Sequence, residues 1–294
     1  MLAKSNMAEW AFSPLETVNS ILPGYSHNPY DVNRVTAGSS GGTAAAVAAS
    51  FGLVGLGTDT GNSIRGPSAH QALFGIRSTM GLTSRAGVVP LNNRADIAGP
   101  MARSAADAVA VFNVVVGSDP DDAVTANADA RRERDYATFL TPGALKGARI
   151  GVVRSLFGKA TEDREVNKMI DDALKTMKEQ GAEVIDVAVP GLDDLLRDSS
   201  VIPFEFKYDL ADYLAKHDAP VKSLGEIIER GLEHDQLESR LRERNPDKLD
   251  DEAYRKAQVK RRATRDAVLA VIEENRFDAL AYPTAPREPP LIVD

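Results

Sequence analysis

The chain has 294 residues, 43% of them hydrophobic, enough to bury a sizeable core in one large domain or two small ones. A net charge of −8, from 35 Lys and Arg against 43 Asp and Glu, argues against a surface that neutralises phosphates, so no nucleic-acid partner is expected. The absence of cysteine excludes disulfides, thiolate nucleophiles and cysteine-ligated metals, and no run approaches the roughly 18 apolar residues of a membrane span, so a cytoplasmic protein with no membrane partner is expected.

Residues 1–120 carry only 7 Lys/Arg and 7 Asp/Glu and are rich in Gly, Ala, Ser and Thr, as befits a segment that is buried or lines a site where backbones approach closely. Within it, Ser40 to Ser50 (SGGTAAAVAAS) predicts a helix after a glycine turn, with Thr43 near its cap and a small, apolar and therefore buried body. Leu53 to Gly57 reads as a short buried strand, Thr58 to Arg65 as a polar loop, and Pro67 to Phe74 as a short helix. Gly75 to Leu91 alternates short β-like runs with glycine turns, and Ser104 to Val116 is a helix capped by Ser104, with Asp107 three residues on.

Residues 121–144 read as a surface connection, and 145–294 as a βαβ unit followed by a charged helical region and a return strand. Arg149 to Arg154 and Ala182 to Val189 are the strands, and Glu162 to Gln180 is the helix between them. Val166, Met169, Ile170, Ala173, Leu174 and Met177 recur at helical spacing and are expected to face a sheet. Residues 204–275 read as mostly helical, and Phe277 to Pro283 as a buried strand.

Two polar loops stand out in this apolar setting: Ala37 to Gly42 before the first helix, and Gly57 to Pro67 after the first strand. A helix start and a strand end are where free backbone N–H groups and hydroxyls converge, as binding of an anion or oxyanion requires. Taken singly, such a loop is more commonly a set of tight turns and caps. Two of them separated by one helix and one strand come to the same sheet edge, and their serines, Ser39 and Ser63, are 24 positions apart. A serine nucleophile needs a base. The four histidines, His27, His70, His217 and His234, are read as polar packing or solvated side chains.

The runs GSSGG (Gly38 to Gly42), GTDTGNSIRGPS (Gly57 to Ser68), GIRSTMGLTSRAGVVPL (Gly75 to Leu91) and DIAGPMARSAADA (Asp96 to Ala108) together resemble the amidase signature family. The resemblance extends from Leu2–Met7, similar to a strand of that family, to Asp278–Thr284. It implies an α/β fold, a mixed β-sheet flanked by helices on both faces and here incomplete at both ends, and an amidase with a Ser–cis-Ser–Lys triad. By position, Ser63 corresponds to the nucleophile that forms the acyl-enzyme, and Ser39 to a serine in a cis peptide that relays protons to a lysine. Ser40 would support the loop, and the backbone N–H groups of Thr60, Gly61, Asn62 and Ser63 would form the oxyanion hole. The resemblance implies no cofactor or metal, a small-molecule amide as substrate, and the possibility of a homo-oligomer.

Asn62 stands where most members have glycine, and asparagine tolerates positive φ better than other non-glycine residues. Asp59 and Arg65 are expected to form an ion pair that fixes the loop. The family's lysine lies well upstream of the first serine motif, and Lys4, 35 positions before Ser39, does not match it. The chain is therefore expected to resemble an internal portion of an amidase and to be inactive as written. Three other readings are weighed. An α/β-hydrolase would use Ser40 within G-x-S-x-G, but Asn33–Ala37 makes a poor buried strand and no histidine follows His234. A second is an inactive amidase-fold fragment or binding protein. The third, an amidotransferase glutaminase subunit, is disfavoured because Ile76–Leu82 departs from the run typical of those subunits.

Overall fold

The computed structural model describes residues 2–11 and 24–292. In chain order, β1 (His27–Asn28) and β2 (Asp31–Val35) are followed by α1 (Gly41–Ala48), β3 (Val54–Asp59), α2 (Arg65–His70), β4 (Phe74–Gly75), β5 (Ile97–Ala102), α3 (Ala105–Val115) and α4 (Ala128–Arg131). Next come β6 (Arg149–Val153), α5 (Arg164–Glu179), β7 (Glu183–Val187), α6 (Leu192–Leu196), α7 (Ile202–Lys216), α8 (Leu224–Glu229), α9 (Glu238–Glu243), α10 (Asp251–Asn275) and β8 (Ala279–Ala281). The chain is α/β and divides into two compact units. One comprises residues 1–138, 202–247 and 289–294; the other comprises 139–201 and 248–288.

In the first unit, β3, β5 and β4 form an antiparallel sheet with β5 in the middle, and β1 pairs with β2 in a separate ribbon. Ala44 of α1 packs with Ile64 and Met101 in a small core under the sheet. A larger core joins Leu91 to Phe206, Leu210 and Leu214 of α7 and to apolar residues of α8 and α9. Polar bonds stitch α7 to the segment before β5. Asn92 Nδ2 donates to Glu205 at 2.7 Å, the Asn93 N–H to Asp209 at 2.8 Å, and the Tyr213 hydroxyl to the Gly87 carbonyl at 3.2 Å.

Several expectations are corrected here. The helix after Ser40 forms, but only Gly41, Ala44 and Val47 are buried; small side chains serve close approach more than full burial. Strand β3 starts at Val54 and exposes Leu53 and Leu56, so it is half-covered rather than buried. The second helix begins at Arg65, two residues before Pro67, and ends at His70. Between Gly75 and Leu91 no strand continues past Gly75, the remainder being turns with one isolated bridge from Thr83 to Val116. Leu2–Met7 forms no strand; it is tied down by the Ala8 N–H on the Ser39 carbonyl at 3.0 Å and by a bond between the Ser5 and Thr43 hydroxyls. Strand β5 was not anticipated, because Gly99 and Pro100 read as strand breakers. Gly99 is required there, since a Cβ would sit 2.1 Å from the Ile76 carbonyl oxygen. Helix α3 forms as expected, with the Ser104 hydroxyl accepting from the Asp107 N–H at 3.1 Å.

The second unit is the βαβ arrangement read from the sequence. Strands β7, β6 and β8 are parallel, with β6 central, and α5 joins β6 to β7. Val153, Val189, Leu192, Val271 and Phe277 form its core. Of the predicted apolar face of α5, Leu174 is buried, whereas Met169 is 65% exposed and Ala173 is exposed, so the covered stripe is narrower than the periodicity suggests. Strand β8 pairs on one side only and is partly exposed, not buried. The charged helical region does not act as one shell, since α7, α8 and α9 belong to the first unit and α10 to the second. Among the described residues no helix is long and apolar enough to cross a membrane.

The close approach that shapes the first unit gives a prediction. A Cβ at Gly42 would lie 2.2 Å from the Asn6 carbonyl oxygen, whereas one at Gly61 would meet nothing within 4 Å. Gly42→Ala should therefore destabilise the protein by about 1–3 kcal/mol, and Gly61→Ala by less than about 0.5 kcal/mol, measured by chemical denaturation.

Candidate active site

The two polar loops meet at the start of α1 and the end of β3. The Ser40 N–H donates to the Ser63 carbonyl at 3.3 Å, and the Ser40 hydroxyl both donates to the Thr58 carbonyl and accepts the Thr58 N–H, each at 3.1 Å. Gly57 permits this contact, because a Cβ there would lie 2.7 Å from the Ser40 Oγ. The Gly38–Ser39 peptide bond is cis, and Ser39 is buried with its Oγ lacking any hydrogen-bond partner. Ser63 is 8% exposed.

Between β3 and α2 the backbone turns through Thr60, Gly61, Asn62 and Ser63. Among the described residues, no protein acceptor takes the N–H of Gly61, Asn62 or Ser63. Asn62 is not among the residues with positive φ, so its tolerance of that conformation is not needed; its side chain instead covers Gly66, where a Cβ would sit 2.5 Å from its Nδ2.

Asp59 closes the loop. It is completely buried, and its Oδ2 accepts the N–H groups of Ile64 and Arg65 at 3.0 and 3.2 Å and Arg65 Nε at 3.1 Å. Its Oδ1 accepts Arg65 Nη2 and Arg77 Nε, both at 3.1 Å, and Arg65 reaches on to the Gly61 carbonyl. Burial alone would raise the Asp59 pKa, but the hydrogen bonds from Arg65 and the Ile64 N–H outweigh it and hold the carboxyl below its ordinary value.

Sequence reading gave no role to two members of this network. Arg77 binds Asp59 and also donates to the Ala95 carbonyl at 3.0 Å. Asp96, buried, accepts the Thr60 hydroxyl at 2.5 Å on one oxygen and the N–H groups of Leu91 and Asn92, both at 2.9 Å, on the other. Burial pushes its pKa up, against the pull of those bonds. The available signal was the position of Asp96 at the entry to an apolar run, where a lone acid must be either solvated or fully bonded.

The histidines take no part in these contacts. His27 Nδ1 is bonded to the Val32 carbonyl at 2.6 Å, His217 lies against the Tyr213 ring, and His234 Nδ1 accepts the Gln236 N–H at 3.2 Å. Among the described residues no group of three or more His, Cys, Asp or Glu is arranged to hold a metal ion.

An α/β protein in which a cis-peptide serine and a second serine are brought together beside unspent backbone N–H groups is built like an acyl-transfer enzyme. The family comparison makes this specific: the amidase family model matches residues 1–294, and the chain belongs to that family. A Stenotrophomonas maltophilia peptide amidase of known structure superposes with a TM-score of 0.81 at 31% identity, over 98% of this chain and 62% of that one. An Arabidopsis thaliana protein named probable amidase is 32% identical over 95% of this chain and 56% of its own length. A glutamyl-tRNA(Gln) amidotransferase subunit from Thermoanaerobacter pseudethanolicus is 38% identical over 65% of this chain and 38% of its own length. The fold is that of the amidase signature enzymes, and the chain spans between about two fifths and two thirds of the length of these relatives.

The loop's dependence on Asp59 is testable through pH. Because the folded-state pKa is lowered, the carboxylate's contribution is complete above the ordinary aspartate value of 3.8 and is lost as pH falls through the lower folded value. Wild-type stability should therefore drop below about pH 4, and Asp59→Asn should cost about 3 kcal/mol at pH 7 while flattening that drop, as read by thermal melts from pH 2 to 7.

Proposed function

We propose that this protein is a cytoplasmic amidase that hydrolyses the C–N bond of a small-molecule amide through an acyl-enzyme on Ser63. The observation that carries this reading is the Ser40 N–H to Ser63 carbonyl bond, which holds the Ser39 loop against Ser63 next to three N–H groups with no protein acceptor. In the forward step Ser63 Oγ attacks the amide carbonyl carbon and gives up its proton through Ser39. The carbonyl oxygen becomes an oxyanion held by the N–H groups of Thr60, Gly61, Asn62 and Ser63. Collapse breaks the C–N bond, and the same proton returns through Ser39 to the departing amine. Water then attacks the ester carbon, its proton returning to Ser63 Oγ as the carboxylic acid leaves.

The buried Ser39 Oγ has no partner among the described residues, so the group that takes its proton lies elsewhere. We assign that role to a lysine outside residues 1–294, in keeping with the resemblance. General-base removal of the serine proton is worth about 10²–10⁴-fold, so residues 1–294 alone should hydrolyse amides slowly or not at all. The likeness to a peptide amidase and a probable amidase across at least 95% of this chain supports a stand-alone amidase over an amidotransferase subunit.

Two measurements test this. A serine-directed fluorophosphonate should label Ser63, mapped by peptide mass spectrometry, and labelling should vanish in Ser63→Ala; an adduct elsewhere with Ser63 untouched ends the assignment. Turnover of an aryl amide by residues 1–294 should fall at least about 100-fold below that of a chain that includes the upstream lysine, and equal, substantial rates would place the base inside this sequence.

A further inference from the structure

The three unspent N–H groups pose a mechanical problem. A loop that keeps its amides for a ligand cannot use them to hold its own shape, so its shape must come from side chains at its two ends. Asp59 supplies one end, gripping Ile64 and Arg65, and through Arg65 the Gly61 carbonyl. The other end is Thr60, the first residue beyond the β3 ladder, which closes at Asp59 opposite Ile97. Its hydroxyl is held at 2.5 Å by Asp96, which is itself fixed by two backbone N–H groups immediately before β5.

We propose that Asp96 is a positioning residue of the acylation step: through the Thr60 hydroxyl it sets the direction of the N–H groups at 61–63 that receive the developing oxyanion. This rests on the proposed function and adds to it a residue that touches neither substrate nor serine. The effect belongs to the transition state, because charge reaches those amides only as the tetrahedral species forms. A misaimed loop therefore slows the bond-forming step and leaves ground-state binding nearly unchanged.

The informative variant is at Thr60, not Asp96. Asp96→Asn would point an amide NH₂ either at Thr60 or at the two N–H donors on its other side, and so would disturb the fold itself. Thr60→Val keeps the shape and removes the hydroxyl; Thr60→Ser keeps the hydroxyl. In the full chain, the concentration dependence of Ser63 phosphonylation by a fluorophosphonate separates the limiting rate from the apparent affinity, with melting temperatures recorded alongside. Thr60→Val should lower the limiting rate about 10–100-fold with affinity within about twofold, and Thr60→Ser should restore most of the rate. A Thr60→Val rate within twofold of wild type overturns the proposal. So does a Thr60→Ser variant as slow as Thr60→Val, or a change confined to affinity. A Ser63→Ala protein that is labelled as fast as wild type marks a different failure, that of the Ser63 assignment, and the positioning role falls with it.

Discussion

Five donors converge on one carboxylate that has no contact with water. Asp59 takes two backbone N–H groups and three guanidinium N–H groups from Arg65 and Arg77. An unpaired charge in that position would be costly to bury, and fully bonded it becomes a fixed point. The fixed point is needed because the segment after β3 neither continues a strand nor closes as a helix until Arg65. Secondary structure normally consumes backbone N–H groups; here they are left over, and ionic and hydroxyl contacts take up the structural task. Asp59 and Asp96 together hold the turn by its ends and leave its middle open.

The scarcity of charge in residues 1–120 follows from the same economy. Three of the seven acids there, Glu9, Asp59 and Asp96, accept hydrogen bonds from backbone N–H groups of other segments. Apart from these contacts the segment works by close approach. Gly42 lies under the Asn6 carbonyl, Gly57 under the Ser40 hydroxyl and Gly99 under the Ile76 carbonyl, each at a separation no side chain could share. Small residues let α1 and its preceding loop sit against β3 closely enough for Ser40 to bond both Thr58 and Ser63.

Elements defined by periodicity were legible. The β6–α5–β7 unit and the capped helix α3 form close to their predicted bounds, because alternating or helical apolar spacing leaves few alternatives. What was not legible depends on partners far away in sequence. Strand β5 carries Gly99 and Pro100, which look like breakers until Ile76 and β3 are placed beside them. The exposure of Leu56 and Met169 could not be read either, since periodicity marks a face but not how much of it a neighbour covers. At the site, the serines and Asp59 stood out by motif, whereas Asp96 and Arg77 gain meaning only when 36 and 18 positions of chain are folded away.

Three serines within 25 residues illustrate how one side chain is assigned different work by what its hydroxyl already bonds. Ser40 sits in a G-x-S-x-G frame, yet its oxygen is committed as both donor and acceptor to Thr58, and freeing it to attack would unfasten α1 from β3. A nucleophile cannot also be a fastener of that kind, which weakens the α/β-hydrolase reading on physical grounds. Ser39 is the converse: buried, at a cis bond, and with an oxygen that no neighbour satisfies. A buried hydroxyl without a partner costs roughly 1–3 kcal/mol, a cost more readily kept where the group is used than where it merely fills space. Ser63 ends the turn whose amides are unspent, so an acyl group formed on it would have its carbonyl oxygen beside those donors. The division of labour between fastening, relaying and attacking thus follows from hydrogen-bond accounting, independently of any likeness in sequence.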